Sequence, residues 1–88
     1  MNYLVLFGRR AKKDVKDLDV ATIKRIEKRL DELSKNPFDT RTSKPLKMFP
    51  GRRSSRVGDW RIVYLVHEND KIVFITAIQS RQEDYNNL

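Results

Sequence analysis

Apolar positions recur along this chain with two different periods, and the change of period divides it. The run Tyr3-Leu4-Val5-Leu6-Phe7 is continuously apolar and five residues long, which predicts a buried strand rather than a helix. Gly8-Arg9-Arg10 ends it. Ala11, Val15 and Leu18 then fall at i, i+4 and i+7, one stripe on a short helix whose Lys12, Lys13 and Lys16 form a solvated face. Asp19 is placed to cap a second helix. Its stripe is Ile23, Ile26, Leu30 and Leu33, with Asp31 and Lys35 as an i, i+4 pair, and Asn36-Pro37 stops it. Two helices this close in sequence predict an antiparallel hairpin. Phe38 to Pro45 is polar and reads as a loop, Leu46 to Phe49 as a short strand or extended segment, and Pro50-Gly51 as a turn.

From Arg52 onward the period is two. Arg52 to Val57 predicts a weakly apolar strand near a sheet edge, Gly58-Asp59 a tight hairpin turn and Trp60 to His67 a strand. Glu68 to Lys71 predicts a second turn, and Ile72 to Ile78 is the most β-prone run. Residues 79–88 are polar apart from Tyr85 and Leu88. The order predicts an α+β fold: an N-terminal strand, a two-helix hairpin, then a three- to four-stranded antiparallel sheet with the helices on one face.

Composition narrows the function classes. A chain of 88 residues is expected to form a single domain over 1–88, and 39% apolar against 35% charged residues suits two layers without a deep substrate cavity. Cysteine is absent and histidine occurs once, at His67, so thiolate and multi-histidine metal sites are excluded. The lack of disulfides suits a reducing cytoplasm. Met1 to Phe7 is too short for a signal peptide, and no apolar run approaches the ~20 residues that span a bilayer, so a cytoplasmic protein without membrane contact is expected. The net charge is +7. Residues 1–40 mix ten Lys/Arg with seven Asp/Glu, whereas residues 41–61 hold seven Lys/Arg and one acid, Asp59. A patch of one sign is the footprint of a nucleic-acid binder, although many small basic proteins bind none.

Within that patch, Arg61 stands on a strand just past a turn, where its planar guanidinium can be held for two phosphate oxygens at once. Lys47, Arg53 and Arg56 are the candidate RNA contacts beside it. Trp60 and Tyr64 alternate on one strand face and are expected in the core. Arg61 shares parity with Val63, Leu65 and His67. A two-residue turn at Asn69-Asp70 would pair that face with Ile72, Phe74, Thr76, Ile78 and Ser80, leaving Arg81 on the other face. A site shared by Arg61 and Arg81 therefore requires the chain to leave the strand near Gln79–Ser80, or a bulge.

Arg56-Val57-Gly58-Asp59-Trp60-Arg61-Ile62-Val63-Tyr64, with Lys44-Pro45-Leu46 before it and Ser80-Arg81-Gln82-Glu83-Asp84-Tyr85 after it, resembles the RelE/ParE toxin superfamily over nearly the whole chain, and within it RelE-type mRNA interferases. The resemblance implies a toxin silenced by a cognate antitoxin protein that wraps its surface. It implies an endoribonuclease, acting without metal or other cofactor on mRNA in the A site of the 30S ribosomal subunit, in which the RNA's own 2′-hydroxyl attacks the adjacent phosphate. Arg61 and Arg81 would clamp the phosphate charge, and Tyr85 would stack on a base, orient the 2′-hydroxyl or accept its proton. Ser80 stands where relatives often carry histidine, so the general base is left unassigned. The ParE branch shares the fold and poisons DNA gyrase without RNase chemistry; a third possibility is an inactive relative retained as an antitoxin partner.

Overall fold

The computed structural model describes residues 2–47 and 49–80. The elements are β1 (Leu4–Phe7), α1 (Arg9–Lys16), α2 (Val20–Lys35), β2 (Lys44–Pro45), β3 (Arg52–Val57), β4 (Trp60–His67) and β5 (Ile72–Ser80). The strands form one sheet in the order β1-β5-β4-β3-β2. β1 lies parallel to β5, and every other pairing is antiparallel. A parallel pair needs a crossover between its strands, and the two helices begin it. The sheet is thus five-stranded and mixed, larger than the three to four antiparallel strands expected.

The helices obey their local signals. Asp19 accepts a hydrogen bond from the Thr22 backbone N–H at 3.1 Å; the Thr22 side chain first, and this N–H second, hold its carboxyl below the usual carboxylate range, and Asn36 closes α2 before Pro37. Lys35 and Asp31 pair at 3.3 Å. Ile26, Leu30 and Leu33 are buried against Val57 of β3, Ile62 and Tyr64 of β4, and Val73, Ile75 and Ile78 of β5, and Ala11 of α1 joins this core. Leu18 lies past the end of α1, where it still packs on the core.

The segment expected as a strand at Leu46–Phe49 lies outside the ladder. Pairing occurs two residues earlier, at Lys44 opposite Ser54 and Pro45 opposite Arg53. The connection is wider than Pro50-Gly51 alone: the Leu46 N–H bonds the Arg52 carbonyl at 2.9 Å, the Arg52 N–H bonds the Phe49 carbonyl at 3.1 Å, and Gly51 takes φ +85°. At the β3–β4 turn Gly58 takes φ +59° in the first of two central positions, where hairpin turns favour glycine. A Cβ there would meet only the tip of the flexible Arg25 side chain, Nη2 at 2.7 Å, which can move aside, so the positive φ is what calls for glycine.

Two irregularities of β5 position the site. β1 pairs with Ile72–Ile75, so among the described residues the far half of β5 has no strand on that side. The Ile78 N–H there donates to Asp14 Oδ2 of α1 at 2.9 Å, a side chain standing in for a ladder acceptor. The β4–β5 register slips between Val63 and Tyr64: Tyr64 pairs with Ile75 and Val63 with Ala77, leaving Thr76 as the extra residue of a bulge. Thr76 Oγ1 donates to the Val63 carbonyl at 3.1 Å. Beyond the bulge Ile78 faces the core opposite Ile62, and Gln79 stands opposite Arg61. An unbulged ladder would have turned Ala77 toward the helices and Ile78 to the other face.

Candidate anion-binding groove

Arg56 and Arg61 are cross-strand partners on either side of the Gly58-Asp59 turn, and their side chains leave the sheet on one face. Like charges placed opposite one another oppose folding unless something neutralises them, so this pair marks a place where an anion is favoured. It borders a groove of about 250 Å³. Cations reach the groove from four places: Arg29 on α2, Arg41 in the loop after α2, Lys44 on β2, and Arg56 and Arg61 on the hairpin. The other lining residues are Thr40, Thr42, Ser43 and Ser54. Among the described residues every lining side chain therefore carries an N–H or O–H donor and none is a carboxylate, which is the chemistry that receives phosphate oxygens.

The loop forming one wall is built by local polar bonds. Asn36 Oδ1 accepts from the Phe38 N–H at 3.1 Å. Asp39 Oδ1 accepts from the Arg41 N–H at 2.9 Å, and the Asp39 carbonyl accepts from the N–H groups of Thr42 and Ser43 at 3.1 and 2.9 Å. Arg41 Nη2 closes on Asp39 Oδ2 at 2.8 Å. The hydrogen bonds from Arg41 hold the Asp39 carboxyl below its usual range, and Asp39 in turn raises the Arg41 guanidinium. Arg29 ties helix to strand, donating from Nη1 to Ser55 Oγ at 2.8 Å and to the Arg56 carbonyl at 2.7 Å. Arg56 Nε donates to the Gly58 carbonyl at 3.1 Å, which fixes the guanidinium over the turn.

Beneath the loop, Tyr64 Oη donates to the Pro37 carbonyl at 2.7 Å, and Ser43 Oγ donates to the same oxygen at 3.1 Å. Burial pushes the Tyr64 phenol up, against smaller lowering effects of Ser43 and Arg53. A phenol raised in the folded state contributes stability that is complete below its unfolded pKa near ~10 and is lost as pH climbs through the folded value. Tyr64→Phe is expected to cost about 0.5–1.5 kcal/mol at neutral pH, the worth of one hydrogen bond. It should also flatten the alkaline fall in stability, as denaturant midpoints measured from pH 8 to 11 would show.

The predicted site residues separate on this framework. Arg56 and Arg61 are brought together across the turn. Arg53 pairs across from Tyr64, so the strand's alternation turns it to the opposite face of β3 from Arg56's groove. There its Nε and Nη2 donate to Ser43 Oγ at 3.1 and 2.9 Å. Lys47 is exposed beyond β2 and does not line the groove. Arg81 and Tyr85 lie outside the described residues. The bulge meets the parity condition as far as Gln79, which occupies Arg61's side of the sheet. Its Nε2 is buried without a hydrogen-bond partner among the described residues. His67 is exposed at the far end of β4, and Trp60 and Tyr64 pack in or against the core. Arg29 carried no signal in the sequence beyond an ordinary helix-surface charge, whereas Arg41 and Lys44 belong to the basic run. No helix among the described residues is long and apolar enough to cross a membrane.

Comparison with known proteins places this architecture. A toxin named RelE1 from Methanocaldococcus jannaschii is 32% identical over 92 residues, covering 99% of both chains. The structure of the RelBE2 toxin–antitoxin complex from Mycobacterium tuberculosis contains a chain that superposes with a TM-score of 0.80 at 26% identity, over 92% of this chain and 100% of that one. The archaeal RelE–RelB complex from Pyrococcus horikoshii OT3 gives a TM-score of 0.79 at 24% identity, over 96% and 100% of the two chains. Residues 5–85 match the family described as the ParE toxin of the type II toxin–antitoxin system, parDE. That match spans both helices, the cationic hairpin and all five strands apart from the first residue of β1, and with it the chain belongs to the RelE/ParE family of type II toxin–antitoxin toxins.

Proposed function

We propose that this toxin is an endoribonuclease that inhibits translation by cutting mRNA in the ribosomal A site, through attack of the RNA's 2′-hydroxyl on the adjacent phosphate. The observation that carries the reading is the groove whose described lining is cations and hydroxyls, with Arg56 and Arg61 paired across the turn. Such a surface suits the negative charge that builds on a phosphorane, and arginine stays protonated throughout. Among the described residues no histidine or carboxylate lines the groove, so its described walls supply no general acid or base. Alignment of the codon by the ribosome then accounts for much of the rate, since fixing reacting groups in line removes a large entropic barrier. Arg81 and Tyr85 keep the roles that the family resemblance gives them, and the protein acts in the cytoplasm.

The partner we propose is a cognate antitoxin, as in the RelE-like relatives solved together with RelB. The ParE description of the matched family favours a second reading, a toxin that binds DNA gyrase without cutting RNA. Induction in cells with primer extension on a translated reporter mRNA separates the two. Translation-dependent cuts inside the reading frame support the RNase; growth arrest with intact mRNA supports the gyrase poison. In vitro, binding of a single-stranded RNA is expected to weaken with salt at a slope of about −0.7 for each phosphate contact, so Arg56→Ala should reduce the slope by about 0.7.

A further inference from the structure

We propose that a second groove, at the opposite end of β3, is a subsite for one unpaired nucleobase of the same RNA strand. This rests on the RNA-binding reading of the first groove. The second groove has a volume of about 430 Å³ and is lined by Phe38, Arg52, Arg53, Val66, Glu68 and Asn69, among others. Phe38 is 40% exposed, a large apolar ring held at the surface. The Arg53 guanidinium stands 5.3 Å from its centroid and is itself fixed by two bonds to Ser43 Oγ. A ring and a planar cation pre-set in this way are the two kinds of surface on which single-stranded bases stack.

The two grooves meet at β2. Lys44 lines the first and Pro45 the second, and their strand partners Ser54 and Arg53 divide the same way. Arg53 and Arg56 stand about 10 Å apart along β3 on opposite faces, so an extended strand passes from one groove to the other around the exposed β2 edge at Lys44 and Pro45. The chemistry of the rim separates base from phosphate. Glu68 repels a phosphate but accepts a hydrogen bond from an exocyclic amino group, and the Asn69 amide can donate or accept. The subsite therefore takes a base bearing an amino group in preference to uracil. Exposed Phe38 and the guanidinium beside it thereby acquire a use that packing alone leaves unassigned.

Fluorescence anisotropy with labelled 2′-O-methyl oligonucleotides, whose blocked 2′-oxygens prevent self-cleavage, tests this on the intact chain, with melting curves confirming that each variant folds. Phe38→Ala and Phe38→Leu are expected to weaken binding by about 5- to 150-fold, the range for loss of a base–aromatic stack, whereas Phe38→Tyr should stay within about twofold. Oligo-C should bind at least about fivefold more tightly than oligo-U, a preference that Glu68→Ala removes. Native affinity in Phe38→Leu would overturn the stack. Unchanged binding in Phe38→Ala alongside weakened binding in Arg61→Ala would overturn the subsite and leave the cationic groove standing. Failure of the native chain to bind either oligonucleotide would overturn both. A Phe38→Ala chain that holds RNA normally but loses its cognate antitoxin would assign the groove to protein instead.

Discussion

Arg61→Ala is expected to lower RNA cleavage by about 10²- to 10³-fold, the effect of removing one preorganised group that stabilises transition-state charge, and to relieve growth arrest. Its melting temperature should stay within a few degrees of the native value. The reason is the pairing with Arg56: two guanidiniums directly across a hairpin repel, so deleting one removes a cost along with whatever contacts Arg61 makes. Lysine should restore part of the loss, because it keeps the charge but not the planar fork. Translation-dependent cutting measured in parallel with thermal unfolding is the decisive pair of readings. Full cutting activity in Arg61→Ala would remove the groove from the mechanism, and growth arrest that persists with intact mRNA would point to the gyrase-type reading.

Leu33→Ala is expected to do the reverse. Leu33 is fully buried where α2 meets the sheet, among Ile26, Leu30, Tyr64 and the other core residues. Truncation removes apolar contact and leaves a cavity, a loss of about 2–5 kcal/mol. A domain this small has a total stability of about 5–15 kcal/mol, so the variant should melt roughly 10–30 °C lower. Activity per folded molecule should persist below that temperature, since Leu33 itself does not line the groove. Calorimetry of the two variants side by side distinguishes loss of chemistry from loss of fold. A Leu33→Ala melt within two or three degrees of native, on the same scale, would mean that the site collapses fully around the smaller side chain.

Much of the architecture was legible because local signals and burial agree. Asp19 and Asn36-Pro37 bound α2 where the capping rules place them, and the Gly58-Asp59 turn sets the β3–β4 register residue by residue. The misses share a cause. Nothing local in Leu4–Phe7 states that its neighbour is β5, running parallel, because that pairing is set by how the helical hairpin returns the chain. Likewise Lys44–Pro45 makes a poor strand by propensity and pairs only because the wide loop to Arg52 brings it alongside β3.

By itself the sequence determined the two helices, the hairpin strands and the concentration of positive charge in residues 41–61, because each follows from period, turn chemistry or charge within one stretch of chain. Only the tertiary structure decided which cations share a groove. Arg29 arrives from a helix surface and Arg41 from a loop pinned by Asp39, while Arg53, inside the basic run, is carried to the opposite face. It also decided the parity of β5, since the bulge at Thr76 answers to the core's demand for Ile78 and so brings Gln79 to Arg61's side. The physical reason is that a one-residue slip in a strand costs little locally, whereas the side chains it turns inward or outward are chosen by the packing of the whole sheet against the helices.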